Sequence, residues 1–144
     1  QTPLGLVGES KTISLAMGER LYQVSSMFTL DGTPASLPVA IGLSTHNEAA
    51  QVSSNSETGR ISTWELIDGI GVGTGALMDT TLVQELIHTP SEVKDSSHIW
   101  IVTSTDTNGA LSFRAGFAWQ ADQEITSFDQ WNEYLDSKVT QAVP

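Results

Sequence analysis

The sequence contains no cysteine and very few cations. Only six Lys and Arg residues stand against 17 Asp and Glu residues in a chain of 144, which gives a formal net charge of -11 at pH 7. Without cysteine, neither a disulfide framework nor a thiolate metal site can form. Nucleic-acid binding depends on Lys and Arg that neutralise phosphates, and binding to an anionic membrane needs them too. We therefore expect no nucleic-acid partner and no membrane partner.

Long apolar runs and metal-ligand spacings are also missing. No run approaches the roughly 20 apolar residues of a membrane-spanning helix. The three histidines, His46, His88 and His98, share no i, i+2 or i, i+4 spacing, so they predict no local metal motif. The residues identify no cofactor. Because the chain begins with Gln1 and lacks a signal-peptide pattern, we expect a processed, cleaved or fragmentary polypeptide.

What the chain does contain is the pattern of a β protein. Ser and Thr are abundant, and turn signals recur every 8–12 residues or so, as in sandwiches. About nine segments have strand character. They are residues 11–17, 21–30, 37–43, 51–54, 60–67, 76–82, 84–88, 99–103 and 111–119. The pattern predicts a mainly β protein with an antiparallel β-sandwich fold.

A single amphipathic helix is predicted to close the chain. Ser127 and Gln130 have the S-x-x-Q spacing of a capping box, in which each side chain satisfies a free amide at the helix start. Four apolar residues then follow at i, i+3, i+7 and i+11, which places them on one helical face. They are Phe128, Trp131, Leu135 and Val139. We expect a helix of about three to four turns that begins near Ser127.

The glycine-dense segment 69–75 resembles a phosphate-binding loop at first sight. Such loops need a strand before them and a helix after them, so that backbone amides and the helix dipole meet the anion. Residues 76–81 form no helical face, and the lysine of a nucleotide-binding loop is absent. The segment is therefore interpreted as a glycine-rich connection between strands rather than a nucleotide site.

Histidines are the candidates for proton transfer. His46 lies at the end of a predicted strand with Glu48 nearby, and the two could act as a general acid/base pair. A solvated loop histidine is the alternative interpretation. His98 begins another predicted strand and is the second catalytic candidate, with a structural role as its alternative.

Arginines and tryptophans are the candidates for substrate binding. Arg20, Arg60 and Arg114 lie in or beside predicted strands, where a guanidinium could bind the carboxylate of an acidic sugar. Cross-strand pairing with Asp or Glu is the alternative. Trp64 and Trp119 could stack against sugar rings, although burial between sheets is the commoner role of such residues.

Several short motifs resemble one bacterial family. They are Gly18-Glu-Arg-Leu, the segment 39–46 ending in Ser-Thr-His46, Ile61-Ser-Thr-Trp-Glu, the glycine run 71–75, and Phe113-Arg-Ala-Gly-Phe-Ala-Trp with the closing helix. The chain resembles the C-terminal half of a domain-of-unknown-function family labelled as sugar hydrolases. Members occur in polysaccharide-utilisation systems, and some are similar to an ulvan-oligosaccharide dehydratase. This implies a galactose-mutarotase-like β-sandwich about twice as long, located in the periplasm or outside the cell. Residues 1–144 would be a single β-sandwich domain or half of a larger one.

The resemblance also implies a reaction. It implies β-elimination on oligosaccharides that contain uronic acid, of the dehydratase or lyase type, with His46 as the best match to a family histidine. Arg20 follows the family's Gly-x-Arg pattern, where a structural role is equally compatible. A second chain could supply the missing part of the sandwich. The alternative function is a noncatalytic carbohydrate-binding or structural β-sandwich module.

Overall fold

The chain forms two antiparallel sheets, and one helix packs on the larger of them. The computed structural model describes residues 2–3, 5–46, 48–93 and 95–139. Its elements are β1 (Val7–Ser14), β2 (Leu21–Leu30), β3 (Thr33–Pro34), β4 (Pro38–Ser44), β5 (Gln51–Asn55), β6 (Arg60–Ile67), β7 (Ile70–Leu77), β8 (Glu85–Thr89), β9 (His98–Ser104), β10 (Ala110–Trp119), a 3₁₀ turn (Gln120–Asp122) and α1 (Phe128–Ser137).

The two sheets differ in size. The large sheet has the strand order β1-β2-β10-β7-β6-β5, with the short β3 paired to β2, and the small sheet has the order β4-β9-β8. One face of the large sheet packs against the small sheet, where Ile61, Ala76 and Ala115 contact Ile99 and Ile101. On the other face α1 packs over the central strands, mainly β6 and β7. The predicted antiparallel β-sandwich with one C-terminal helix is confirmed.

The glycine-dense segment is a strand, so its interpretation as a connection is wrong. β7 spans Ile70–Leu77. Its glycines occupy every second position, so Gly73 and Gly75 lie on the face of the strand that packs against α1. A Cβ on Gly73 would lie 2.7 Å from Trp131 Cδ1, and a Cβ on Gly75 would lie 2.6 Å from Leu135 Cδ1. Both distances are below van der Waals contact. The glycines therefore form a groove that admits the two largest buried side chains of the helix.

Helix α1 begins where the capping box predicts. The Ser127 hydroxyl accepts a hydrogen bond from the Gln130 N–H at 3.3 Å. Gln130 Oε1 in turn accepts from the N–H of Thr126, one residue before the cap, at 2.8 Å. Trp131 and Leu135 are fully buried. The helix has ten residues, and Val139 packs beside the same cluster just beyond its end.

Most predicted strands differ from the structure by at most one residue at each end, but two differ by three or more residues. β1 ends at Ser14, and the apolar residues Leu15 and Met17 that extended the predicted alternation are exposed. β7 ends at Leu77, so residues 78–82 are not part of a strand. In both places a short apolar pattern continues beyond the last residue that has a neighbouring strand to pair with.

Arginine side chains attach the C-terminal segment to the sheet. Arg60 is 5% exposed, and its Nε donates to Asp136 Oδ1 at 2.8 Å while its Nη1 donates to Asn132 Oδ1 at 2.6 Å. Arg114 Nη2 donates to the backbone oxygen of Lys138, beside the C-terminal end of α1. A cation at this end of a helix also interacts favourably with the helix dipole.

The segment that leads into α1 is attached by a third arginine. Arg20 Nη1 donates to Asp122 Oδ2 at 2.8 Å, and its Nη2 donates to Glu124 Oε2 at 2.5 Å. The hydrogen bond from Arg20 lowers the pKa of the Asp122 carboxyl. Lys138 Nζ, 2.9 Å from Glu19 Oε2, adds a fourth contact. Four of the six cations in the sequence thus hold the C-terminal segment.

We expect the substitution Arg60→Met to destabilise the fold by roughly 2–4 kcal/mol, because it removes the buried partner of the ion pair with Asp136. Asp136 and Asn132 then keep only the hydroxyls of Thr58 and Ser62 as donors. Chemical denaturation at neutral pH measures the change. The matched control is Lys11→Met, which removes an exposed pair with Glu9 and should change stability by less than about 0.5 kcal/mol. Equal effects of the two substitutions would contradict a structural role for Arg60.

Candidate functional site

One end of the large sheet is not covered by the small sheet and carries exposed aromatic side chains. Residues Glu65, Val72 and Trp119 are paired across β6, β7 and β10 and form one row on the face that the small sheet occupies further along. Thr63, Thr74 and Phe117 form the next row. Trp119 is 50% exposed and Phe117 is 59% exposed. We call these six residues the aromatic ledge.

A histidine–carboxylate pair stands at the edge of this ledge. His46 Nδ1 lies 2.6 Å from Glu65 Oε2, and their side chains are 55% and 18% exposed. When Glu65 accepts the Nδ1 proton, Nε2 is left as a free acceptor that faces solvent, which is the form a general base needs. Because neighbouring strands are about 4.8 Å apart, the Cα atoms of Glu65 and Trp119 are roughly 10 Å apart. This separation suits a ligand the size of a sugar ring.

The loop that carries His46 is held by a cluster of polar groups. The hydroxyls of Thr45 and Ser97 are hydrogen-bonded to each other, both residues are fully buried, and Ser97 also donates to Glu48 Oε1. His88 Nε2 lies 3.3 Å from the same carboxylate oxygen. The hydrogen bond from Ser97, with a smaller contribution from His88, lowers the pKa of Glu48 below its usual 4.5. Glu48 is therefore an anionic anchor for the loop at neutral pH.

Backbone strain is concentrated in the same loop. His46 has a φ of 44° and Glu48 a φ of 64°, both in the left-handed region. Few residues other than glycine adopt it, and His does so more often than Glu. Each such residue costs of order 1–3 kcal/mol and persists only where the surroundings hold it. Position 47, between them, lies outside the described residues. The hydrogen bonds of Glu48 are the contacts that offset this cost.

The predicted site residues fall in different parts of the molecule. His46 lies at the edge of the ledge through its contact with Glu65, and Trp119 is a member of the ledge two strands away. His98 lies on the outer face of the small sheet, where its ring stacks on Trp100 at a centroid distance of 4.7 Å. Trp64 is 7% exposed and points toward the helix side, where a Cβ on Gly71 would meet its ring. A role for His98 or Trp64 in substrate binding or catalysis stays a prediction.

The three predicted arginines contact the C-terminal segment rather than the ledge. Their partners are Asp122 and Glu124 for Arg20, Asp136 and Asn132 for Arg60, and the backbone of Lys138 for Arg114. The alternative interpretation was cross-strand pairing with Asp or Glu. Arg20 and Arg60 do pair with carboxylates, but these lie in the C-terminal segment and not on a neighbouring strand, and Arg114 binds a backbone carbonyl. Substrate binding by an arginine stays a prediction.

Sequence reasoning singled out only Trp119 among the six ledge residues and missed the other five, including Glu65 and Phe117. The alternation Phe113-Arg-Ala-Gly-Phe-Ala-Trp places Phe117 and Trp119 on one face of β10, which was a readable signal. Glu65 gave no such signal, because its pairing with His46 joins residues 19 positions apart through tertiary structure.

The part of the chain that the structure describes contains neither a metal-binding cluster nor a membrane-spanning helix. Residues 2–3, 5–46, 48–93 and 95–139 contain no group of three or more His, Asp and Glu side chains arranged to hold a metal ion. The helices within these ranges are too short or too polar to cross a membrane.

Comparison with known proteins gives the family. Residues 5–143 match the family described as "Domain of unknown function (DUF4861)". The chain belongs to this family. It is also similar to "Uncharacterized protein P7" of Formosa agariphila, with 24% identity over 131 residues. The match covers 90% of this chain but 31% of that protein, so the chain spans about a third of the length of its curated relative. No solved structure matches the chain significantly.

We expect Ser97→Ala to destabilise the fold by about 1–3 kcal/mol at pH 7, because it removes a buried hydroxyl that bonds both Thr45 and Glu48. Glu48 then keeps only its longer contacts with Thr45 and His88, both at 3.3 Å. Ser96→Ala, a neighbouring exposed serine, is the matched control and should have almost no effect. Thermal or chemical unfolding measures both.

The difference between wild type and Ser97→Ala should shrink on acidification. Since the pKa of Glu48 is lowered in the folded state, its contribution is complete above about pH 5 and is lost as the pH falls below its usual 4.5 and through the lowered value. A difference that stays constant down to pH 3 would show that Glu48 does not anchor the loop.

Proposed function

We propose that this domain supplies one wall of a carbohydrate-active site that acts on uronic-acid-containing oligosaccharides by β-elimination. The aromatic ledge would hold a sugar ring, and His46, paired to Glu65, would transfer a proton. The observation that carries the proposal is the position of an exposed His–Glu pair in the same row as an exposed tryptophan, at an open end of the sandwich. We place the activity in the periplasm or outside the cell.

The chemistry of elimination fits the groups at the ledge. A base removes the proton next to the carboxylate at C5, the substituent at C4 departs, and a C4–C5 double bond forms. A histidine has an ordinary pKa near 6.5, so its neutral form can accept such a proton near neutral pH. Sugar C–H faces pack well on aromatic rings, which suits the exposed faces of Trp119 and Phe117.

The proposal also requires a group that neutralises the substrate carboxylate. The three arginines bind the C-terminal segment, and the charged side chains described at and beside the ledge include Glu48 and Glu65. Because none of these three arginines lies at the ledge, we propose that the cation is supplied by the rest of a longer polypeptide or by a second chain. The resemblance to the ulvan-oligosaccharide dehydratase is the support for a uronate as the substrate.

We expect His46→Gln to lower the elimination rate by roughly 10²-fold or more, because it removes the proton acceptor but keeps a polar side chain of similar length. Stability should change by less than about 0.5 kcal/mol, since His46 is largely exposed. The assay follows the absorbance of the unsaturated uronate with the natural full-length protein and uronate-capped oligosaccharides. His98→Gln, on the outer face of the small sheet, is the control and should keep full activity. Activity lost in the His98 variant and retained in the His46 variant would transfer the role to His98.

A noncatalytic carbohydrate-binding module is the second candidate. All three arginines bind the C-terminal segment, so no arginine among them lies at the aromatic ledge. An aromatic surface without a nearby guanidinium suits neutral sugars, which favours the binding module.

For this candidate, Trp119→Ala should weaken oligosaccharide binding by about 2- to 12-fold, corresponding to roughly 0.5–1.5 kcal/mol of stacking energy. Isothermal titration calorimetry with neutral and uronate-capped oligosaccharides measures the change. Trp100→Ala, on the outer face of the small sheet, is the control. Unchanged affinity in the Trp119 variant would exclude the ledge as the binding platform.

A further inference from the structure

The small sheet ends in a strand with an unpaired edge. β4 is hydrogen-bonded to β9 on one side, and within the described ranges of the chain no strand pairs with its other side. The large sheet is six strands wide, with β3 as a seventh strand paired only to β2, and the small sheet is three strands wide. Because β4 packs over β6 and β7, the strands β1, β2 and part of β10 extend beyond it. Long free strand edges are sites where another strand can add.

The hydrogen bonds of β4 identify which backbone groups point outward. The Thr45 N–H donates to the Ser97 carbonyl at 3.0 Å, and the Leu37 carbonyl accepts from the Thr105 N–H at 3.0 Å. In an antiparallel ladder such residues alternate, so the odd-numbered positions of β4 face β9. The N–H and C=O groups of Ala40 and Gly42 consequently point to the free edge. Pro38 is also one of these outward-facing positions, so the N–H that proline lacks would not have bonded β9.

An open groove runs beside this edge over the face of the large sheet. One part has a volume of about 510 Å³ and is lined by Tyr22, Phe28 and Phe113, among others. A second part of about 400 Å³ continues past Pro38, and both parts are lined by Phe28 and Val39. The groove therefore follows the whole of β4, about 23 Å for seven residues.

The groove wall changes from apolar to polar with distance from β4. Next to β4 it is aromatic, and at the far side Glu9 forms contacts with Lys11 at 3.2 Å and with the Ser26 hydroxyl at 2.8 Å. Ile13, in the same row as Val24 on this face, is 60% exposed. A strand beside β4 would cover the aromatic part with every second side chain.

We propose that an extended segment from the remainder of a longer polypeptide adds to β4 as a fourth strand of the small sheet. It would pair with the outward groups of Ala40 and Gly42 and place alternating apolar side chains on Tyr22, Phe28 and Phe113. We assign the added strand to the same polypeptide because of the length of the Formosa agariphila relative. The match covers 31% of that protein, so a polypeptide of that length has ample sequence outside this domain. The inference does not rest on the proposed activity.

Hydrogen exchange on the natural full-length protein tests the pairing. The amides of Ala40 and Gly42 should exchange roughly 100-fold or more slowly than unstructured amides, and to an extent similar to that expected for Ile41 and Leu43, which face β9. Ala40→Pro removes one outward donor at a position equivalent to Pro38 and should speed exchange at Gly42 and lower the melting temperature. Ala40→Ser keeps the N–H and is the matched control.

Cross-linking from Lys11, on the groove rim, identifies the strand. A cross-link to a segment outside residues 1–144 of the same polypeptide supports the proposal. Fast exchange at Ala40 and Gly42 overturns it, as does equal behaviour of the Pro and Ser variants. Protection that grows with protein concentration, with cross-links between isotopically distinct copies, would instead assign the edge to a second copy of this chain and also overturn it.

Discussion

The packing of α1 against a glycine-lined strand is the constraint on which the rest of the structure depends. Side chains on Gly73 and Gly75 would occupy the space of Trp131 and Leu135, so the helix can dock only because these positions lack a Cβ. The Trp131 indole also donates to the Thr74 carbonyl at 3.0 Å, which fixes the depth and rotation of the helix. Because α1 follows β10 after a short segment, its docking also fixes the end of β10, where Trp119 lies. The position of the aromatic ledge is thus a consequence of helix packing on the opposite face.

The same strands serve stability on one face and the candidate site on the other. β6 directs Arg60 and Trp64 toward the helix and Thr63 and Glu65 toward the ledge, since successive side chains alternate. Charge is divided in the same way. In a chain of net charge -11, four of six cations hold the C-terminal segment, and the carboxylates Glu48 and Glu65 support His46. This division explains why a search for a substrate-binding arginine leads to structural ion pairs.

Local patterns predicted the elements well where strand pairing and periodicity agree. β2 and β6 have the predicted bounds, and α1 starts at the predicted cap, because alternation and capping are encoded in neighbouring residues. The glycine segment was mispredicted because glycine has a low intrinsic preference for strands. This strand is stabilised instead by the side chains of α1 that pack on its glycines. Leu15 and Met17 gave the opposite error, since their alternation predicted a strand that the structure lacks. A strand ends where no neighbouring strand is left to pair with it, and β1 therefore ends at Ser14.

The sequence by itself determined the fold class and the single capped helix, and it named His46 and Trp119 among the candidate site residues, a role that stays a prediction. Tertiary structure alone decided that Glu65 is the partner of His46, that Arg20, Arg60 and Arg114 bind the C-terminal segment, and that Trp64 is buried while Trp119 is exposed. The physical reason is range. Periodicity and capping act within a few residues, whereas the face that a second sheet covers, and the acceptor that a long cation reaches, depend on segments up to about a hundred positions away.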